Sequence, residues 1–327
     1  MNLYIFIIFV SLLLLLMNSK KSVREHFTIN NRLYKALNVS PDKRKLFDNY
    51  IGDNIMDKMG KKIISAEVLK DKYYYPKTFI FNKKDDFPTK QYLKKNNINF
   101  DKIWYVKEAY DTGGGSEVHP EIGYKDIKNK TNEMLNKFNK GILVQENIEP
   151  YLINNKKTDV RIFYIMVLYR GKVYFYLQND GFLKVSNKNY NNKINDKRVL
   201  ITNTSFQKNT KNSNILISTR NEKDKMMDNM FKAHKDMSNE IEKRFNKNYN
   251  NKYKIEYQVS GSDWIFDNKL NPYLLEHNPV SPGYLNKKDS EGSKMLKNNL
   301  RKFCEYIINI GTDDKELPKE KYGFIML

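Results

Sequence analysis

Residues 158–178 read TDVRIFYIMVLYRGKVYFYLQ: two long runs rich in β-branched, aromatic and aliphatic residues, separated by Arg170–Gly171. A two-residue connection between such runs makes a β-hairpin, with its strands as antiparallel neighbours. A second hairpin is expected across KIEYQVSGSDWIFDNKLNPYLLEHN, with NKLN at the turn. KIWYVKEAY (102–110) and ILVQENI read as further strands, and a short strand follows Pro76. Helices are expected near DDFPTKQYLKKNN, over TNEMLNKFNKG up to Gly141, over EKDKMMDNMFKAHKDMSNEIEKRF and over KMLKNNLRKFCEYIINIG. In the third of these Met227, Met230, Phe231 and Met237 fall near one face and read as core. Ser40–Pro41 reads as the start of an earlier helix that stops at Gly60, and 186–215 as a long polar loop. Antiparallel hairpins mixed with helices imply an α+β fold, with subdomains packed around a cleft.

The chain has 327 residues, enough for a substantial core. The single Cys304 excludes an intrachain disulfide or a cysteine-based zinc site. The net charge of +20 favours anionic partners without choosing among them. No aromatic–basic platform or groove-reading helix stands out, so nucleic acid is not an expected partner. Residues 3–17 carry no charge, and Lys20, Lys21 and Arg24 follow them. No basic segment precedes the run and no small-residue cleavage site follows it. The positive-inside rule then implies an uncleaved membrane anchor over 1–20 with the rest of the chain cytosolic. A secretory signal peptide is the alternative.

Chemistry concentrates in three places. Glu276 and Asn278 lie two apart at the end of an apolar strand, so they share a face and His277 points away. A turn centred between Lys269 and Leu270 sets Asp263 directly across from Glu276; a one-residue slip would send Asp263 to the other face. Two carboxylates and an amide oxygen suit magnesium, which takes its remaining oxygens from water and phosphate. Acids so close to apolar strands need a cation beside them. Second, Lys157, Asp159 and Arg161 alternate on one strand face, opposite Val160 and Ile162. Arg161 can grip a carboxylate or an acyl phosphate with two nitrogens. Third, Lys107 ends a strand just before the glycine loop Gly113, Gly114, Gly115, a pairing suited to polyphosphate but matching neither common phosphate-loop fingerprint. Gln145 can sit at an adenine edge.

WYVKEAYDTGGGSEV, ILVQENIEPYLINNKKTDVRIFYIMVL, ITN and YQVSGSDWIFDNKLNPYLLEHNPVSP together resemble the tubulin–tyrosine ligase family of the ATP-grasp superfamily, in order and spacing, over about residues 76–282. The resemblance implies an ATP-grasp fold with an N-terminal subdomain over 25–103 and central and C-terminal subdomains over 104–327. It implies ATP-dependent ligation of a free amino acid to a protein carboxylate, commonly on acidic tubulin tails. By motif it places Lys107 at the phosphates, Gln145 near the adenine, and Lys157 and Asp159 in the nucleotide site with Thr202 and Asn203. Arg161, and Lys184 in place of a family arginine, fall near the reacting carboxylate. Asp263, Glu276 and Asn278 match the magnesium ligands. The family's amino-terminal lysine is matched by Lys43 or Lys45. The chain departs from the pattern in four further ways. No arginine stands in DTGGGS, Glu146 replaces a lysine, Leu200 replaces a histidine, and HNPVSP carries one extra residue. Phosphate and metal chemistry thus read as retained, and substrate recognition as altered; the alternatives are an ATP-grasp ligase acting on a non-tubulin protein or a small molecule, and a membrane-tethered pseudoenzyme that binds acidic partners.

Overall fold

The structure, a computed structural model, describes residues 47–48, 55–109, 117–138, 141–192, 196–202, 214–245, 255–279 and 291–327. In chain order the elements are β1 (Phe47–Asp48), α1 (Ile55–Lys58), α2 (Lys62–Leu69), β2 (Thr78–Phe81), α3 (Lys90–Lys95), β3 (Ile103–Glu108), β4 (Val118–Ile122) and α4 (Tyr124–Phe138). β5 (Ile142–Glu146), β6 (Leu152–Ile153), β7 (Lys156–Tyr169), β8 (Lys172–Gln178), β9 (Phe182–Val185), α5 (Lys197–Leu200), β10 (Asn214–Leu216) and α6 (Lys223–Arg244) follow. β11 (Ile255–Phe266), β12 (Pro272–Asn278), α7 (Glu291–Asp313), β13 (Glu320–Lys321) and β14 (Phe324–Met326) complete the chain. The mixture of helix and antiparallel sheet is the expected α+β class.

The β7–β8 hairpin turns at Arg170–Gly171, both at positive φ (51° and 71°), the backbone a two-residue hairpin turn requires. β7 is the spine of a large sheet, with β8, β9 and β11 all antiparallel to it. Its even-numbered side chains, Val160 to Leu168, pack against Met226, Met230, Ala233 and Met237 of α6. Its odd-numbered side chains from Phe163 to Tyr169 pack against Leu300, Phe303 and Ile307 of α7. On that second face Lys157, Asp159 and Arg161 precede Phe163, so the charges begin where the α7 core ends. The methionines of α6 are core, as their spacing implied.

A second sheet runs β2-β5-β3-β4. Trp104 and Val106 of β3 pack with Ile127, Met134 and Leu135 of α4, which leaves Tyr105 and Lys107 on the opposite face. This sheet spans the boundary expected at 103/104: β2 comes from before it, and β3 straddles it.

Four expectations are corrected. Residues 186–215 are not all loop, since they contain α5 and most of β10. α4 begins at Tyr124, earlier than the TNEMLNKFNKG segment implied. The β11–β12 turn centres on Lys269 rather than between Lys269 and Leu270: Phe266 pairs with Pro272 and Trp264 with Leu274. Asp267 sets that geometry. Its side chain accepts from the backbone N–H groups of Lys269 and Asn271, and its carbonyl accepts from Leu270, which sits at φ 69°. The helix expected from Ser40 to Gly60 is broken at Phe47–Asp48, which are drawn into the large sheet as β1 in parallel with Ile255–Glu256 of β11, and only Ile55–Lys58 is helical among its described residues. The rest of that segment before Ile55, the three glycines of the loop and the apolar run at 3–17 lie outside the described residues. Among the described residues no helix is long and apolar enough to cross a membrane.

Candidate functional site

The β11–β12 register is corrected by a bulge before it reaches the acids. Between Trp264 and Asp263 the pairing shifts by one residue, and Asp263 lies directly across from Glu276. In an unbroken strand Glu276 would share the face of Leu274, two residues earlier. Leu274 is fully buried. The extra residue, Leu275, reverses the alternation, turning Glu276 toward the cleft and His277 into the core, where it is 2% exposed. Asn278 shares the side of Glu276, half-buried. The facing acids were thus legible, while the device that aligns them was not.

Across the sheet, Asp263 also pairs with Arg161 in the β7 register. Arg161 Nε donates to Asp263 Oδ1 at 2.5 Å and Arg161 Nη2 to Oδ2 at 2.6 Å, a two-pronged grip. Lys184 stands opposite Asp159 in the β7–β9 register, and its ammonium reaches Asp263 Oδ1 at 3.1 Å. Burial alone would raise the Asp263 pKa, but Arg161 and Lys184 outweigh it and hold the carboxyl at about 2. Glu276 pairs with Lys62 Nζ at 3.1 Å. The cations that these acids, one buried and one half-buried, needed are therefore supplied by the chain itself.

The four-stranded sheet closes the other side. Lys107 is buried, and its ammonium donates to Gln145 Oε1 at 2.5 Å across the β3–β5 pair. Gln145 Nε2 donates to Thr78 Oγ1 at 3.0 Å. Burial first, and then the neighbouring Lys62, push the Lys107 pKa down to about 7, against a smaller opposing pull from Glu276. Lys157 Nζ donates to the Leu200 carbonyl at 2.7 Å and to Tyr105 Oη at 3.1 Å. Thr202 Oγ1 donates to Asp159 Oδ2. Asp159 Oδ1 is buried without a hydrogen-bond partner.

Most of these side chains line one cleft of about 910 Å³ between the sheets, with Ile148, Leu200, Ile201 and Ile265 supplying apolar wall; Arg161, Asn278 and Thr78 are not among its lining residues. Lys107, Gln145, Lys157, Asp159, Thr202, Lys184, Asp263 and Glu276 all border it. Gly113, Gly114, Gly115, Asn203, Lys43 and Lys45 lie outside the described residues. Glu146 borders the cleft with its charge opposite to that of the lysine the resemblance implied.

Lys62 is a cleft residue that the sequence reading missed. It is the first residue of α2, where the partial positive charge of a helix N-terminus disfavours a cation. A lysine placed there, ahead of the buried Ile63, Ala66 and Leu69, signals a partner elsewhere, and Glu276 is that partner.

The donor set fits a metal–nucleotide pair. The orphaned oxygen of Asp159 can accept from a hydroxyl. Two facing carboxylates, each already beside a cation, sit in positions that accommodate positive charge. Among the described residues no group of three or more His, Cys, Asp or Glu side chains converges on a metal position. Holding a divalent ion here therefore calls on the Asn278 amide and on phosphate oxygens besides the two acids.

No curated protein matches the chain. The model of the tubulin-tyrosine ligase family matches residues 27–302, a span that holds all the residues lining the cleft, and the chain belongs to that family.

Proposed function

We propose that this chain is an ATP-dependent ligase that joins a free amino acid to a carboxylate of an acidic protein segment, tubulin tails being one candidate acceptor. Members of its family are ATP-dependent protein–amino-acid ligases that use ATP and magnesium. The observation that carries the reading is the meeting in one cleft of Lys157 and Asp159 of β7 and the facing pair Asp263–Glu276, with Arg161 gripping Asp263, and of Lys107 and Gln145 of the opposite sheet.

In this reading Asp263, Glu276 and Asn278 hold magnesium, which when bound offsets the charge of the ATP phosphates. Lys107, Lys157, Asp159, Gln145 and Thr202 bind the nucleotide, together with Asn203 and the glycine loop of Gly113, Gly114 and Gly115. Arg161 and Lys184 orient the acceptor carboxylate, whose oxygen attacks the γ-phosphorus as ADP leaves. Lys107 and Arg161 stabilise the charge that develops. The α-amine of the amino acid then attacks the acyl carbon, and phosphate departs as the amide forms. Lys184, offering one ammonium where an arginine would offer a fork, favours an acceptor held less rigidly than by two-pronged pairing. The apolar run at 3–17 extends the proposal to a membrane-tethered enzyme with a cytosolic cleft. A protease-protected body in isolated membranes would overturn that part.

The activity is tested by incubating the chain with ATP, labelled amino acids and acidic acceptor proteins, read by mass spectrometry. Glu276→Gln combined with Asp263→Asn should abolish incorporation. Unchanged incorporation in that variant refutes the metal assignment, and magnesium-independent ATP binding with no transfer to any acceptor refutes the ligase reading.

A further inference from the structure

The bulge at Leu275 decides where the Glu276 carboxylate points, so whatever fixes the bulge fixes the candidate metal site. The core buries Leu274 and His277 on either side of it. The backbone there is also held from the side. The N–H of Leu274, the residue next to the bulge, donates to the Tyr74 carbonyl at 2.8 Å. This bond covers the edge of β12 that faces away from β11.

Tyr74 is in turn immobilised at both ends of its side chain. Its ring is fully buried against Trp264, with centroids 5.9 Å apart, and Trp264 is the cross-strand partner of Leu274 at the register shift. Its hydroxyl donates to Asp236 Oδ2 of α6 at 3.0 Å. Lys72 binds the same carboxylate at 3.0 Å and Glu240 at 3.0 Å, which fastens the whole 72–74 segment to α6. A connected path therefore runs from a helix on the far side of the sheet, through Asp236 and Tyr74, to the bulge and Glu276. Neither Asp236 nor Tyr74 borders the cleft; the path reaches it at Leu275 and Glu276.

We propose that Tyr74 is a positioning residue for the reaction: tethered to Asp236, it holds the β12 bulge in the register that presents Glu276 to the cleft. The inference rests on the reading of Glu276 as a metal ligand. Partners one step removed from a ligand tune metal affinity by orienting it. Loosening Tyr74 should therefore weaken metal binding more than it weakens nucleotide binding.

The test measures Mn2+ affinity by electron paramagnetic resonance on the full chain with a non-hydrolysable ATP analogue, and analogue affinity alone in EDTA. Tyr74→Phe keeps the ring and the carbonyl and removes only the tether. Asp236→Ala removes the same tether from a partly exposed helix position, so it serves even if the core variant folds poorly. Each should weaken Mn2+ binding about five- to tenfold and leave metal-free analogue binding unchanged. Tyr176→Phe, which loses a comparable hydroxyl bond to the Pro318 carbonyl under α7, should lose stability without losing Mn2+ affinity. If Glu276→Gln weakens Mn2+ binding while the tether variants do not, the positioning role is overturned. Equal losses of Mn2+ and metal-free analogue affinity, or an equal Mn2+ loss in Tyr176→Phe, overturn it too. If Glu276→Gln itself leaves Mn2+ affinity intact, the metal reading fails instead.

Discussion

Lys107 should be more valuable to the reaction than to the fold, and replacing it by methionine separates the two. The side chain is buried, and burial with the nearby Lys62 brings its pKa from 10.5 to about 7. A lysine so depressed destabilises the folded state by about 4 kcal/mol near neutral pH and about 5 kcal/mol in mild acid. Methionine keeps the length of the stem and removes the charge. It also forfeits the bond to Gln145 Oε1, which costs about 1–2 kcal/mol. Lys107→Met should therefore be more stable than the parent by about 2–3 kcal/mol at neutral pH. Below pH 7 the lysine is protonated in both states and the penalty is constant. Between about 7 and 10.5 the unfolded chain binds the extra proton, so the parent gains stability as pH rises and the gap closes. Urea unfolding of both proteins at pH 6, 7.5 and 9.5 measures this directly, and nucleotide binding should be lost in the same variant. A destabilised variant, or a gap that does not change with pH, would refute the assignment of Lys107 as a desolvated cation held for an anionic ligand.

Two further outcomes follow from the geometry of the β7 row. A Cβ on Gly181 would lie 2.9 Å from the Arg161 carbonyl oxygen, so Gly181→Ala must push β9 away from β7. It should cost about 1–3 kcal/mol in denaturant unfolding and lower the incorporation rate by displacing Lys184 from Asp263; unchanged stability and rate would show that β9 shifts freely. Asp263, held at about 2 against an ordinary 3.8, contributes about 2 kcal/mol above pH 4 that is lost as pH falls toward 2. Asp263→Asn should flatten that part of the acid unfolding profile, and a profile identical to the parent's would mean that the Arg161 and Lys184 contacts do not hold the carboxylate in solution.

What was legible in the sequence was local. The Arg170–Gly171 turn, the alternation of Lys157, Asp159 and Arg161, and the methionine face of α6 each follow from a period of two or 3.6 and a turn signal. Non-local pairing was not legible. β13 and β14 hold only five residues between them and are strands because β14 adds to β8, far away in the chain. Lys62 enters the site because α2 packs beside β12, which no spacing in MGKKIIS records. The pairing of Asp263 with Glu276 was expected from a turn of the wrong centre. The half-residue error at the turn and the extra residue at Leu275 cancel at the acids. A bulge announces itself in sequence only as a break in alternation, and Leu274–Leu275 reads there as an uninterrupted apolar run.

The same strands that carry the charges also carry the core, and this governs how the site can work. β7 and β11 pass from the α7-packed core into the cleft with no change of face, so Arg161 and Asp263 emerge from a rigid sheet rather than from loops. Their backbones are fixed by ladders on both sides. Asp263 is paired with both Arg161 and Lys184, and Glu276 with Lys62, so none of these charges has to be created when a ligand arrives. Binding of phosphate and cation then exchanges partners within a preset array: basic side chains pass from carboxylate to phosphate oxygens while the carboxylates receive the metal. Such an exchange costs far less than desolvating isolated charges, because these paired groups are compensated at the start and at the end. A sheet that bears its ion pairs in register is therefore suited to gripping a polyphosphate and its metal together, and poorly suited to gripping either alone.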